Sequence, residues 1–119
     1  MDRAYIINLG PLEDIAIGQG RCFIVKDTEV AVFRLRDGSV AAIENQCPHR
    51  KGPLAEGIID QQFVVCPLHG HKFDLETGQG EGGECVRVFN TWIEHGNIYM
   101  QFSPYVFIDG KITAGTNNN

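Results

Sequence analysis

Cys47, His49, Cys66 and His69 are the residues of this 119-residue chain whose types and spacing could hold a metal centre. They stand in two short segments, Cys47-Pro48-His49 and Cys66-Pro67-Leu68-His69, with sixteen residues between His49 and Cys66. Each segment offers one thiolate and one imidazole. Two Cys and two His suit tetrahedral Zn²⁺, but common zinc motifs group their cysteines as C-x₂₋₄-C and keep their histidines together. Here each segment mixes the two types, and only Pro48 separates Cys47 from His49. That spacing is awkward for two bonds to one small ion and natural for side chains that diverge to two irons. A sulfide-bridged iron pair needs two protein ligands per metal, which two loops closing from opposite sides can supply. The pattern favours a [2Fe–2S] cluster, with a zinc-stabilised binding module as the alternative.

The elements that must position these loops read as short strands. Period-two and β-branched runs predict strands over 5–8, 21–25, 29–35, 40–44, 62–66, 86–89, 91–94 and 97–102. Turn signals separate them at Gly10-Pro11, Asp37-Gly38, Glu56-Gly57, Thr77-Gly78 and Gly96-Asn97. Asp37-Gly38, between Ala31-Val32-Phe33-Arg34-Leu35 and Val40-Ala41-Ala42-Ile43, is a good hairpin signal. No window carries a helical stripe over three turns, and residues 11–17 are expected to make one turn at most. The reading is an all-β domain, sandwich or barrel. Residues 45–74 read as an inserted subdomain in which metal replaces a hydrophobic core, on a base formed by 4–44 and 75–103. Residues 104–119 form a C-terminal extension with one more hairpin, 105–108 and 111–113 around Asp109-Gly110, and a mobile tail from 115 onward.

Length limits the chain to one domain. A net charge of −5 without a basic cluster argues against nucleic-acid binding. Met1-Asp2-Arg3-Ala4-Tyr5 lacks the apolar core of a signal peptide, and no apolar run approaches the ~20 residues that span a bilayer, so a cytoplasmic location off the membrane is expected. In that compartment Cys22 and Cys85 stay reduced, and both are expected to be small buried or half-buried residues. His71 is a second candidate partner for Cys66. His95, in Glu94-His95-Gly96-Asn97, reads as a solvated turn residue. Gly78-Gln79-Gly80-Glu81-Gly82-Gly83-Glu84 lacks the Lys-Ser/Thr of a phosphate loop and carries two acids, so it reads as a flexible turn.

The stretch Cys47-Pro48-His49-Arg50-Lys51-Gly52-Pro53-Leu54, with Cys66-Pro67-Leu68-His69-Gly70-His71-Lys72-Phe73-Asp74, resembles the Rieske-type [2Fe–2S] proteins. The resemblance implies antiparallel sheets with a small cluster-binding subdomain. It also implies one cluster, with Cys47 and Cys66 on the inner iron and His49 and His69 on the outer one. The family spacing selects His69 over His71. High-potential members carry an extra cysteine in each loop, joined as a disulfide, and Ser and Tyr hydroxyls beside the cluster. Here Lys51, Gly52 and Leu68 leave no such disulfide, and His71 and Phe73 stand at the hydroxyl positions. Hydrogen bonds to the sulfurs raise the potential, so their loss implies a value toward roughly −150 mV.

The segment Glu44-Asn45-Gln46-Cys47 through Gly57-Ile58, with Asp74-Leu75-Glu76-Thr77-Gly78 and Glu84-Cys85-Val86-Arg87-Val88, is similar to the small subunit of NAD(P)H-dependent nitrite reductase. The Val30-Ala31-Val32-Phe33-Arg34 strand also fits, whereas Asn90-Thr91-Trp92 and the C-terminal extension depart from it. That resemblance implies a non-catalytic electron-transfer subunit beside a large flavin and siroheme subunit that reduces nitrite to ammonium. The alternative is a ferredoxin working between a reductase and an aromatic-ring or other oxygenase. The mononuclear-iron domain of a complete oxygenase subunit does not fit in 119 residues.

Overall fold

A computed structural model describes residues 5–46, 53–68 and 70–102, together with the backbone of 105–108 and 111–114. Its elements are strands and two short 3-10 turns. In chain order the strands are β1 (Tyr5–Pro11), β2 (Gly20–Val25), β3 (Thr28–Arg34), β4 (Val40–Glu44), β5 (Ile58–Asp60), β6 (Phe63–Val65), β7 (Lys72–Asp74), β8 (Val88–Glu94), β9 (Asn97–Phe102), β10 (Tyr105–Ile108) and β11 (Lys111–Ala114). The 3-10 turns are Leu12–Asp14 and Leu54–Glu56. A curled six-stranded antiparallel sheet has the order β1-β9-β8-β4-β3-β2. A three-stranded sheet, β5-β6-β7, holds the middle of the chain, and β10-β11 pair as a separate hairpin. The all-β expectation is met.

Local chemistry explains the connections. β3 and β4 pair as far as Arg34 and Val40. Their loop is closed by Asp37, whose Oδ1 accepts from the Ser39 N–H at 2.9 Å and the Ser39 hydroxyl at 2.6 Å. β2 turns into β3 through Lys26 and Asp27, both at positive φ, and β8 turns into β9 through His95 and Gly96, likewise. Positive φ at both central residues is the two-residue hairpin geometry that matches strand twist. His95 is therefore a turn residue, and exposed.

Two apolar clusters fill the interior, and β3 separates them. Val30, Ala31, Val32 and Phe33 are all fully buried, so this strand is covered on both faces and its apolar run does not alternate with polar residues. Val30 and Val32 face a cluster with Ile15, Val25, Ala42, Phe89, Ile98, Met100 and Phe102 inside the curled sheet. Ala31 and Phe33 face the other way, against Ile43, Leu54, Ala55, Val64, Cys66, Phe73, Leu75 and Val86. The second cluster bears on an expectation: the middle stretch contributes Leu54, Ala55, Val64, Cys66 and Phe73 to a buried apolar cluster of ten residues that it shares with β3 and β4.

Other differences are local. Asn90 does not break a strand: β8 is continuous, with Asn90 exposed and registered on Gln101. β1 runs through Gly10 to Pro11, absorbing the turn signal as a register shift between Asn8 and Gly10. The Gly-rich run after β7 is a bonded turn, not a loose one. Gly80 N–H donates to Glu84 O at 2.7 Å, Phe73 bridges Gly80, and Gln79 bridges Cys85. Cys22 and Cys85 are exposed, not buried.

Candidate metal centre

Of the four expected ligands, Cys66 lies within the described residues; Cys47, His49 and His69 lie outside them. Cys66 follows β6 directly and opens the turn into β7. Its N–H donates to His71 O at 2.8 Å, continuing the ladder one pair beyond Val65 and Lys72. Its carbonyl accepts from Gly70 N–H at 2.9 Å, which curls the segment back on itself. Gly70 sits at φ +73, where an L side chain is strained, and a Cβ would meet nothing within 4 Å. Glycine is thus required there by backbone conformation and not by crowding.

The Cys66 residue is 1% exposed, while Pro67 and Leu68 at the tip of the same turn are exposed, Leu68 by 59%. The thiol side therefore faces the apolar cluster that also holds Leu54 and Ala55. Those two residues are the return of the first ligand-bearing segment. Gln46 bridges Pro53 across that segment, and Leu54 N–H donates to Asn45 O at 2.7 Å. Cys66 and the return of the first candidate segment, Leu54 and Ala55, thus share one apolar floor, and backbone hydrogen bonds close the chain beside each. A buried soft donor above a dry floor suits thiolate coordination to iron. Among the described residues no three His, Cys, Asp or Glu side chains converge, as expected with the three other candidates outside them.

His71 occupies the position next to the floor, half-buried, with Nδ1 at 3.5 Å from Glu84 Oε2. Phe73 is fully buried in the cluster with Cys66. Lys72 closes the outer side of the sheet: Nζ lies 3.3 Å from Asp60 Oδ2, and its N–H donates to Glu81 Oε2 at 3.0 Å. Cys22 is close to the base of the first segment, 3.5 Å from Asn45 Nδ2. Partial burial and the neighbouring Glu29 carboxylate push the Cys22 thiol up, which keeps it protonated and a poor nucleophile.

Sequence reasoning missed Asn45. It is buried, and its Oδ1 accepts from Ala55 N–H at 2.7 Å. The signal was present as the first of two amides, Asn45-Gln46, between the strand 40–44 and Cys47, but such a pair looks like any turn. No helix of the described residues is long and apolar enough to cross a membrane.

Comparison with known proteins places this geometry. The family model that matches is the Rieske [2Fe-2S] domain, over residues 6–93. The oxygenase component of dicamba O-demethylase from Stenotrophomonas maltophilia is 44% identical over 62 residues, 52% of this chain, a match spanning 16% of that protein's own length. Ferredoxin CarAc from Metapseudomonas resinovorans is 32% identical over 74 residues, covering 60% of this chain and 68% of the ferredoxin. Among solved structures, a Mycobacterium tuberculosis protein provisionally described as an NADH-dependent nitrite reductase small subunit superposes with a TM-score of 0.79. It is 24% identical and covers 85% of this chain and 97% of that one, a likeness of fold.

Proposed function

Because this chain belongs to the Rieske [2Fe–2S] domain family, we propose that it is the electron-carrying small subunit of an NAD(P)H-dependent nitrite reductase. The cofactor is a single Rieske-type [2Fe–2S] cluster, which supplies one-electron exchange when bound. In this reading Cys47 and Cys66 give thiolates to the inner iron and His49 and His69 give imidazoles to the outer one. Residues 45–74 are the cluster-binding unit, 4–44 and 75–103 its base, and 104–119 an extension. The chain makes and breaks no substrate bonds. It works in the cytoplasm beside a large flavin and siroheme subunit, which takes the electrons from NAD(P)H and reduces nitrite to ammonium.

The observation that carries the nitrite reductase reading is the return of the first segment, Gly52-Pro53-Leu54-Ala55-Glu56-Gly57. Leu54–Glu56 forms a 3-10 turn with Leu54 and Ala55 buried, closed by Gly57 N–H donating to Leu54 O at 2.9 Å. A second reading has its own support. The 32% identity to ferredoxin CarAc, over 68% of that protein's length, favours a carrier between a reductase and an oxygenase. In both readings His71 and Phe73 leave the site without the two hydroxyl donors that raise a Rieske potential, and Leu68 leaves it without the loop disulfide.

The deciding experiment mixes the reconstituted protein with each partner. Nitrite-dependent reoxidation of its cluster, with NADH and a siroheme reductase subunit, is the expected result. Turnover with an oxygenase instead would overturn the nitrite assignment and keep the carrier. His69→Cys is expected to retain a cluster with a shifted spectrum and potential; an unchanged spectrum would overturn the ligand set. Stoichiometric zinc in place of iron and acid-labile sulfide would establish a binding module. A midpoint above about +150 mV by voltammetry would refute the low-potential reading, the family range running from roughly −150 to +300 mV.

A further inference from the structure

Among the described residues Asn45 alone is both polar and buried, at 4% exposure, and it precedes Cys47 by two positions. A buried amide is costly unless its donors and acceptor are satisfied. Here Oδ1 accepts from Ala55 N–H at 2.7 Å, and Nδ2 donates to Glu29 Oε1 at 3.0 Å with Cys22 Sγ at 3.5 Å. The amide can sit only one way round. The Ala55 N–H can only donate, and the Glu29 carboxylate can only accept. The main chain repeats the tie: Asn45 N–H donates to Glu29 O at 2.9 Å, and Asn45 O accepts from Leu54 N–H at 2.7 Å. One residue thus fastens the exit and the return of the first ligand-bearing segment to β3.

We propose that Asn45, oriented by Glu29, is the positioning residue of the first ligand segment, fixing where residues 47–52 leave and rejoin the fold. An apolar residue would fill the space equally well; the amide adds direction, because one face grips the returning chain and the other a charged acceptor. The pair thereby sets how firmly the cluster is held and the electronic surroundings of its ligands. The inference rests on the reading that Cys47 and His49 are ligands, and the test separates the two.

Asn45→Asp keeps the acceptor for Ala55 N–H but sets a second negative charge against Glu29. Loss of the cluster to an iron chelator is expected to accelerate roughly tenfold, the change expected when one buried hydrogen bond is lost. The EPR g-values and midpoint potential should shift with it. Adding Glu29→Gln returns a donor to face that carboxylate, so the double variant should recover the wild-type rate and spectrum. A merely space-filling role would not predict that rescue. Glu29→Ala, at an exposed position, guards against misfolding of the first variant. It should speed hydrogen exchange of the Ala55 amide in the metal-free chain. Unchanged exchange in Glu29→Ala, or a double variant no better than Asn45→Asp, would overturn the proposal. A wild-type chain that takes up no iron and sulfide would instead refute the ligand reading, and Ala55 exchange would still decide the clamp.

Discussion

The two apolar clusters of this fold are built by different means. The one inside the curled sheet is enclosed by strands of five to seven residues with long regular registers, such as β2 on β3 and β8 on β9. The one beneath the ligand segments borrows β3 and β4 for one wall. Its other wall is three strands of three residues each, a 3-10 turn and the bonded turn after β7. Three-residue strands make few ladder bonds, so this side is held by packing of Leu54, Val64, Phe73 and Leu75 and by individual turn hydrogen bonds. The lesson is a division of labour: regular pairing supports the sheet cluster, and particular residues support the metal-side cluster.

Removing a side chain from each cluster tests that division. Phe73→Ala is expected to cost about 3–5 kcal/mol and Met100→Ala about 2–5 kcal/mol in denaturant unfolding, both being fully buried. The contrast lies in the cofactor. Phe73→Ala should also accelerate cluster loss under native conditions, whereas Met100→Ala should leave that rate near wild type. Equal effects on cluster loss would mean that the clusters act as one unit.

A smaller effect is expected at the turn after β7. Gly78 sits at φ +80, and a Cβ there would run into the Val86 carbonyl oxygen. Gly78→Ala should destabilise by about 1–3 kcal/mol through backbone strain, with faster amide exchange at Val86, whose N–H donates to Gly78 O at 2.8 Å. If exchange quickens equally in β9, the turn is not a local support of the metal side.

The smallest expected effect is electrostatic. Burial pushes the Asp74 carboxyl up, but bonds from Glu76 N–H, Gln62 Nε2 and Thr77 N–H outweigh it and hold the group below its ordinary 3.8. A depressed folded value means that this contribution is complete above the ordinary value and is lost as pH falls through the folded one. The stability of the native chain should therefore decline more steeply below pH ~4 than that of Asp74→Asn. Identical acid limbs in the two unfolding curves would contradict it.

What the sequence revealed follows the same division. β4 and β9 are predicted to the residue, and β3 within one at each end, because β-branched runs between Asp-Gly or Gly-Asn signals carry their own boundaries. β5 and β7 went unseen: three residues are too few for a period, and Ile58-Ile59-Asp60 and Lys72-Phe73-Asp74 acquire strand geometry only by pairing with β6. The Lys26-Asp27 turn was hidden because neither residue is glycine. Burial of Cys66 beside Leu54 joins the second candidate ligand segment to the return of the first, while the grip of Asn45 on Glu29 spans sixteen positions. Neither contact is encoded by any local window.

The rim of the six-stranded sheet has a consequence for how the molecule meets others. Among the described residues β1 and β2 are its two edge strands, and an edge that exposes N–H and C=O groups is an invitation to another chain's strand. β1 discourages it with its register shift between Asn8 and Gly10 and with Pro11, which has no N–H to offer. At the opposite end Lys26 lies over the Tyr5 ring, Nζ 4.1 Å from its centroid, tying one margin to the other. A sheet edge so blunted resists growing sideways into aggregates.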